Sequence, residues 1–567
     1  MDDSARPHDE ATQWGPFPRP EVEGVVIDRN AAMPMRDGVR MRCDIYRPEE
    51  PGEYPALYAV SPYQKDLAGL PAYPAFVWRE TGPIEWYVQQ GYVYVLADSR
   101  GTGASDEGEW EYFGQEEQTD LYDAIEWIAT QPWCTGKIGM IGQSYFAMAQ
   151  WAAAVQAPPH LACIAPYDAK IDHYRGGQFH GGVPAWGLPI SWSFGIHYNH
   201  RYGPPGAEGD QRLKTDLVQA MLEHPLDDDF WRSRSPYWGL SGAEVPTFSI
   251  GSWGKTALHL RGNLMGYELV SGPKKLLVEE AGQPVRLGVV RAQADFERPE
   301  FHERFLLPWY DYWLKGIDNG ILDGPPVSTF VSGIDEYRDW DDWPPPNIKY
   351  KPLYLRKGPS NAVLSLNDGG LTDDPPDPAE GGTTYAYPRA EWHLGPVEVK
   401  PDGSMDVVSG VLTWTTERLD DDLMIAGPIA MVLHASSNQP DTDFFVKVWD
   451  QAPEPDSGTR RDILLTRGWL RASHRALDET RSTPERPFHP HRDPQPIQPG
   501  EVYRFDIEVW PIAHVFKAGH RIRIHITNAD SPVTDGNYVH FYGMKHGEDT
   551  IMHDAAHASH ILLPVIG

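Results

Sequence analysis

Ser144 stands at the turn of Lys137-Ile138-Gly139-Met140-Ile141-Gly142-Gln143-Ser144-Tyr145-Phe146-Ala147, which reads as a strand, a sharp bend and the start of a helix. That geometry lifts a serine hydroxyl off the end of a sheet, where it can attack an acyl carbon. The pattern is not the commonest one: the position two residues after the serine is Phe146 instead of glycine, and the small residues are Gly142 and Ala147. A serine reacts only if a base takes its proton and donors receive the charge that builds on the carbonyl oxygen. The Tyr145 N–H, at the head of a helix over Phe146–Val155, is one such donor, reinforced by the helix dipole. Ser61-Pro62-Tyr63 follows the apolar strand Pro55–Val60 at the same sheet end, so the Tyr63 phenol either supplies the second donor or packs beside the elbow. Asp98-Ser99-Arg100-Gly101-Thr102-Gly103 ends another strand and reads as a braced turn.

These residues need a frame. At 567 residues the chain is too long for one core. Short apolar runs such as Tyr92–Ala97 alternate with amphipathic stretches such as Glu117–Thr130 up to about Pro166, which predicts a doubly wound α/β domain. Ligands of such sheets gather beyond the carboxyl ends of the strands. Residues 1–20 read as a loose arm, 21–167 as the first part of the α/β core, and the irregular, aromatic 168–244 as a helical cap. The core resumes over 245–320 with a last helix over Phe301–Lys315, and the proline-bearing 321–350 reads as a linker. From 351 to 567 short strands broken by Gly, Pro, Asp and Asn predict a β-sandwich of jelly-roll type, with a long loop over Asp478–Gly500.

A net charge of −32 argues against nucleic-acid and anionic-membrane partners. Three scattered cysteines (Cys43, Cys134, Cys163), an acidic N-terminus with no apolar run and no 18-residue apolar stretch point to a soluble, cytosolic protein. No cofactor is expected. No metal is expected either, since His489-Pro490-His491 and the spread His553, His557, His560 lack completing ligands.

Several ordered motifs give the chain a family resemblance. They are Met35-Arg36-Asp37-Gly38-Val39, Ser61-Pro62-Tyr63, Asp98–Gly103, Gln131-Pro132-Trp133, Gly142-Gln143-Ser144-Tyr145, Trp313-Leu314-Lys315-Gly316, Asp441-Thr442-Asp443-Phe444, Gly468–Ser473 and Ala518-Gly519-His520-Arg521. Together they resemble the CocE/NonD family of serine hydrolases over nearly the whole chain. The resemblance implies an α/β-hydrolase domain, a helical cap and a C-terminal jelly roll. It also implies Ser144 as nucleophile, with the Tyr63 hydroxyl and Tyr145 amide as oxyanion hole.

The same resemblance exposes a gap. The family acid belongs just after the strand Val245–Ile250, where this chain has Gly251-Ser252-Trp253-Gly254-Lys255, and the histidine belongs after Lys275–Val278, where it has Glu279-Glu280-Ala281-Gly282. Three readings compete. His259, oriented by Glu279, Glu280 or Asp295, is a relocated base. A cap histidine among His173, His180, His197 and His200 serves instead. Or the triad is lost and the chain is a non-hydrolytic member, a cyclase, lyase, rearrangement enzyme or binding protein. The leading expectation is a hydrolase of ester or amide bonds acting through an acyl-enzyme on Ser144. Its small-molecule acyl substrate would be walled by Tyr174, Trp186, Trp192 and Phe194, and the jelly roll offers surface for homo-oligomerisation.

Overall fold

The computed structural model describes residues 22–66, 80–105, 107–201, 212–280, 296–388, 398–399, 405–406, 410–453, 462–530, 540 and 545–567. The arm expected over 1–20 lies outside them, as does Asp295.

Ten strands form the sheet of the first domain: β1 (Val25–Pro34), β2 (Arg40–Pro48), β3 (Tyr54–Ser61), β4 (Val93–Asp98), β5 (Cys134–Met140), β6 (Leu161–Ile164), then β9 (Thr247–Ser252), β10 (Lys274–Glu279), β11 (Val327–Val331) and β12 (Glu336–Trp340). Their order is β1-β2-β4-β3-β5-β6-β9-β10-β11-β12. The middle of the sheet is parallel, and β1, β2 and β12 run antiparallel to their neighbours. Every residue of β4 is buried, as the apolar run Val93–Ala97 requires of a strand covered on both faces. Helices α1 (Ile84–Gln89), α2 (Gln115–Ala129) and α3 (Tyr145–Gln156) pack over the sheet with the helical run 299–315. In that last run the Trp309 indole donates to Ile164 O at 3.2 Å and the Tyr310 hydroxyl to Met140 O at 2.9 Å.

One boundary differs from the sequence reading. Residues 321–350 are not a linker: β11 adds parallel to β10 and β12 closes the sheet edge against β11. Turn residues and Trp343-Pro344-Pro345-Pro346 give the segment a linker's composition, whereas its pairing partner lies far back in the chain and leaves no local trace.

The cap contains the hairpin β7 (Phe179–His180) and β8 (Val183–Pro184) and the helices α4 (Gly187–Arg201), α5 (Leu217–Glu223) and α6 (Asp229–Arg234). Helix α7 (Leu260–Leu269) follows β9. The C-terminal domain is a β-sandwich; its spine is Leu423–Ser437 paired antiparallel with Tyr503–Phe516, and the last strand His560–Ile566 pairs with the first, Ile348–Arg356. Residues 478–500 form no strand, but they are not a solvated loop. Phe488, His489 and His491 are buried, Phe488 stacks on Tyr237 at 6.0 Å, and Arg486 pairs with Glu268 of α7. Trp253, Leu260 and Leu264 share a hydrophobic core with this β domain, so the two domains and the cap pack as one body.

Candidate active site

Ser144 sits between β5 and α3 with φ 59° and ψ −113°, a conformation costly for any residue with a Cβ. The surrounding backbone enforces it. Ser144 N–H donates to both Tyr167 O (3.0 Å) and Asp168 O (3.1 Å), Gln143 N–H to Glu80 O (2.8 Å), and the Gln150 amide to Gly142 O (3.2 Å). Phe146 stands where the second glycine of such an elbow is usual, and the first glycine, Gly142, makes room for it. Gly142 has φ +126°, and a Cβ there would run into the Phe146 Cβ.

Tyr63, just beyond β3, is 4 % exposed, and its hydroxyl lies beside the Ser144 side chain and accepts from the Trp192 indole at 3.1 Å. Burial, with Glu80 nearby, pushes its pKa well above the ordinary phenol value, so the hydroxyl keeps its proton at neutral pH. Tyr145 is the first residue of α3, so its N–H has no carbonyl within the helix to bond. Its ring stacks on Trp192 (6.1 Å) and Phe113 (4.7 Å), and its hydroxyl donates to buried Glu117 at 2.8 Å. Glu117 also accepts from Ser99 Oγ (3.0 Å) and Phe113 N–H (2.7 Å). The Asp98–Gly103 turn is braced as expected: Arg100 bonds Asp120 and Asp37, and Asp98 accepts from the Lys65 and Ala104 amides.

The expected walls divide by helical phase. On α4, Trp192 and Ile196 are four residues apart and face inward, while Phe194 (57 % exposed) and Tyr198 lie together on the outer face at 5.6 Å. Phe194 is therefore not an inner wall. Neither is Tyr174: it is wholly buried, stacked on Phe179 at 4.6 Å, with its hydroxyl given to Pro225 O. Trp186 is partly buried against the catalytic-domain core.

His259 precedes α7, is 3 % exposed, and its Nδ1 has no hydrogen-bond partner. Burial, reinforced by the Lys255 and Lys170 charges, pushes its pKa well below the ordinary histidine value, so the ring is neutral at pH 7. Among the described residues no hydrogen bond joins it to Ser144, Glu279 or Glu280. Glu279 instead accepts from the Tyr167 hydroxyl at 2.6 Å. Lys255 is buried at the end of β9, within electrostatic reach of Asp168. Burial raises the Asp168 carboxyl to about 6, partly offset by Lys255 and by the Gln143 amide bonded at 3.0 Å.

The cap histidines serve varied ends. His200 uses both nitrogens, bonding Ile196 O and the Gly103 amide; His173 bonds the Tyr112 hydroxyl at 2.8 Å; His180 bonds His540 at 2.8 Å; His197 is half-buried. His489, half of the His-x-His pair, gives both nitrogens to carbonyls of Ala476 and Asp506. Sequence reading missed Glu117, Gln143 and Asp168. Glu117 sat inside a predicted helix with nothing to distinguish it from a solvated acid, and the other two are recognised only by what folds against them.

Residues 37–282 match the model of the X-Pro dipeptidyl-peptidase (S15) family, and residues 319–562 match the X-Pro dipeptidyl-peptidase C-terminal non-catalytic domain. The chain is 29 % identical to cocaine esterase of Rhodococcus sp. (strain MB1 Bresler), over 95 % of this chain and 98 % of that one. It is 27 % identical to a putative serine esterase of Mycobacterium bovis, over 94 % of each. A CocE/NonD family hydrolase from Staphylococcus aureus superposes with a TM-score of 0.78 at 25 % identity, covering 96 % of this chain and 94 % of that one. The chain belongs to the CocE/NonD hydrolase family. It is a hydrolase acting on ester or peptide bonds. At the ends of β9 and β10, where the resemblance noted above implies an acid and a histidine, this chain has Lys255 and Glu279-Glu280. No helix is long and apolar enough to cross a membrane among the described residues.

Proposed function

We propose that this hydrolase cleaves small acyl esters or amides through a covalent acyl-enzyme on Ser144, with the Tyr63 hydroxyl and Tyr145 N–H holding the oxyanion and His259 as the base. The observation that carries the reading is the placement of the Tyr63 hydroxyl beside the Ser144 side chain at a strained elbow. It puts a protonated phenol beside the nucleophile, where the carbonyl oxygen of a bound substrate would arrive. Ser144 Oγ attacks the carbonyl carbon, its proton passes to the His259 imidazole, and the tetrahedral oxyanion accepts from Tyr63 and Tyr145. Collapse expels the alcohol or amine, which takes the proton back from the imidazolium form of His259; water then repeats the sequence and frees the acid.

Two facts support His259. Its ring is neutral and has an open nitrogen, as a base requires. Its helix is also tied to the stretch of chain that holds the nucleophile. One turn on, Asn263 Oδ1 accepts Ala169 N–H at 2.8 Å, and the preceding residue, Asp168, accepts Ser144 N–H. Catalytic hydrogen bonds often close only in the substrate complex.

A fluorophosphonate probe tests both parts. Labelling is expected for the wild type and absent in Ser144→Ala; a folded wild type that never labels overturns the covalent mechanism, as does full turnover by Ser144→Ala. His259→Ala is expected to stop labelling at an unchanged melting temperature. Labelling at the wild-type rate removes His259 from the base role.

A further inference from the structure

Lys170 lies in the segment that leaves β6 past the elbow, 5 % exposed, with no carboxylate within ion-pair distance among the described residues. Its ammonium donates to Gln178 Oε1 at 3.0 Å and stands 5.7 Å from the centre of the Tyr112 ring. The acid closest in sequence, Asp172, is spent elsewhere: it accepts from Arg175 Nη1 at 2.9 Å and from the Tyr174 and Arg175 amides. A lysine buried without a counter-ion is costly, and burial lowers its pKa to about 7 despite the field of Asp172.

Three buried imidazoles lie within electrostatic reach of that ammonium: His173, His180 and His259. Each keeps one buried nitrogen without a hydrogen-bond partner, Nε2 of His173, Nε2 of His180 and Nδ1 of His259. Their other contacts fix them in place. His173 is held through Nδ1 by the Tyr112 hydroxyl at 2.8 Å, and His180 through Nδ1 by His540 at 2.8 Å, which itself bonds Asp530 at 2.7 Å. Unsatisfied polar atoms are uncommon inside proteins, and several gathered about one unpaired lysine call for a partner the chain does not supply.

The cluster adjoins the nucleophile's surroundings. The Tyr112 ring that faces Lys170 packs on Trp192 at 5.7 Å and on Tyr145 at 6.1 Å, and Trp192 donates to the Tyr63 hydroxyl. We propose that Lys170, with His173 across the Tyr112 ring, forms a subsite for an anionic group, and that the acyl part of the substrate carries a carboxylate remote from the carbonyl attacked by Ser144. This rests on the acyl-enzyme reading above. A carboxylate accepts from the remaining N–H bonds of Lys170 and from the Nε2–H of His173, whose Nδ1 takes the Tyr112 hydroxyl, and supplies the missing counter-charge. The acyl chain between carboxylate and carbonyl would then run along the Tyr112–Trp192 pair. Specificity follows from the arrangement: an uncharged acyl group leaves the lysine and the His173 Nε2–H unpaired in the bound state, a penalty that a carboxylate avoids.

The test compares mono-p-nitrophenyl glutarate with p-nitrophenyl butyrate. Wild type is expected to favour the anionic ester in kcat/KM, and Lys170→Met, near in volume, to reduce that preference by about 10- to 100-fold, the value of a charge-assisted hydrogen bond. Free glutarate should also slow fluorophosphonate labelling of wild type and not of Lys170→Met. Equal turnover of the two esters by wild type overturns the subsite, as does an equal loss on both esters in Lys170→Met, which would place the lysine in the chemistry. Labelling without glutarate protection refutes the subsite and leaves the Ser144 reading intact. Absent labelling refutes the Ser144 reading instead, and calorimetric titration of glutarate into wild type and Lys170→Met then decides the subsite alone.

Discussion

Replacing Tyr63 by phenylalanine removes one oxygen and little else. The ring keeps its edge contacts with Tyr145 (5.8 Å), Phe146 (5.9 Å) and Trp192 (6.5 Å), so packing is preserved. The hydrogen bond from the Trp192 indole goes, and with it the polar contact with the Ser144 side chain. The indole N–H is left without its acceptor on a residue that is 9 % exposed, which costs about 1 kcal/mol, the lower end for an unpaired buried donor. The catalytic loss is larger. Removing one oxyanion donor costs about 10²–10³ in kcat, roughly 2.7–4 kcal/mol of transition-state stabilisation. Because burial holds the Tyr63 phenol protonated well past its ordinary pKa, the deficit should be flat across neutral and mildly alkaline pH. Steady-state hydrolysis of p-nitrophenyl acetate gives kcat, and a thermal melt separates lost chemistry from lost fold. Trp192→Phe, which removes the indole donor while keeping the Tyr63 hydroxyl, controls for the broken indole bond. A Tyr63→Phe enzyme with kcat within about threefold of wild type, a difference under 1 kcal/mol, would show that the phenol only packs beside the elbow.

Two further outcomes probe the elbow and its support. Ser144→Gly and Ser144→Ala should both lose turnover, yet the glycine variant should be more stable by on the order of 1 kcal/mol in chemical denaturation, since glycine relieves φ 59°; equal stabilities would mean the turn stores no strain. Glu117 is lifted by burial from 4.5 to about 7, so its stabilising contribution is full below its unfolded pKa and is lost as pH rises through about 7. Glu117→Gln should therefore flatten the fall of stability between those two values by up to about 1.4 kcal/mol per pH unit, and superimposable wild-type and variant profiles would refute the buried-acid reading.

Much of the molecule is legible in its residues. Alternation of apolar strands with amphipathic helices up to Pro166, and short strands with turn residues beyond β12, gave the α/β domain and the β-sandwich, because burial patterns are local and periodic. The elbow was legible because Gly142-Gln143-Ser144-Tyr145 is a contiguous motif between an apolar strand and a helix, although its strained backbone is held by Tyr167, Asp168 and Glu80 from other segments. That Lys255 and Glu279 stand where the family resemblance implies an acid and a histidine could also be noted from sequence. Their consequences could not. Only the fold brings Tyr63, Tyr145 and Trp192 around one hydroxyl, hides Glu117 beneath Tyr145, and sets Lys170 and His173 on the same Tyr112 side chain. It also turns Phe194 outward while Trp192, on the same helix, faces in. Those placements depend on long-range packing and on desolvation, which no run of neighbouring residues encodes. Sequence determined that a serine stands at an elbow of a family hydrolase; tertiary structure decided which groups surround that serine and which of them carry charge.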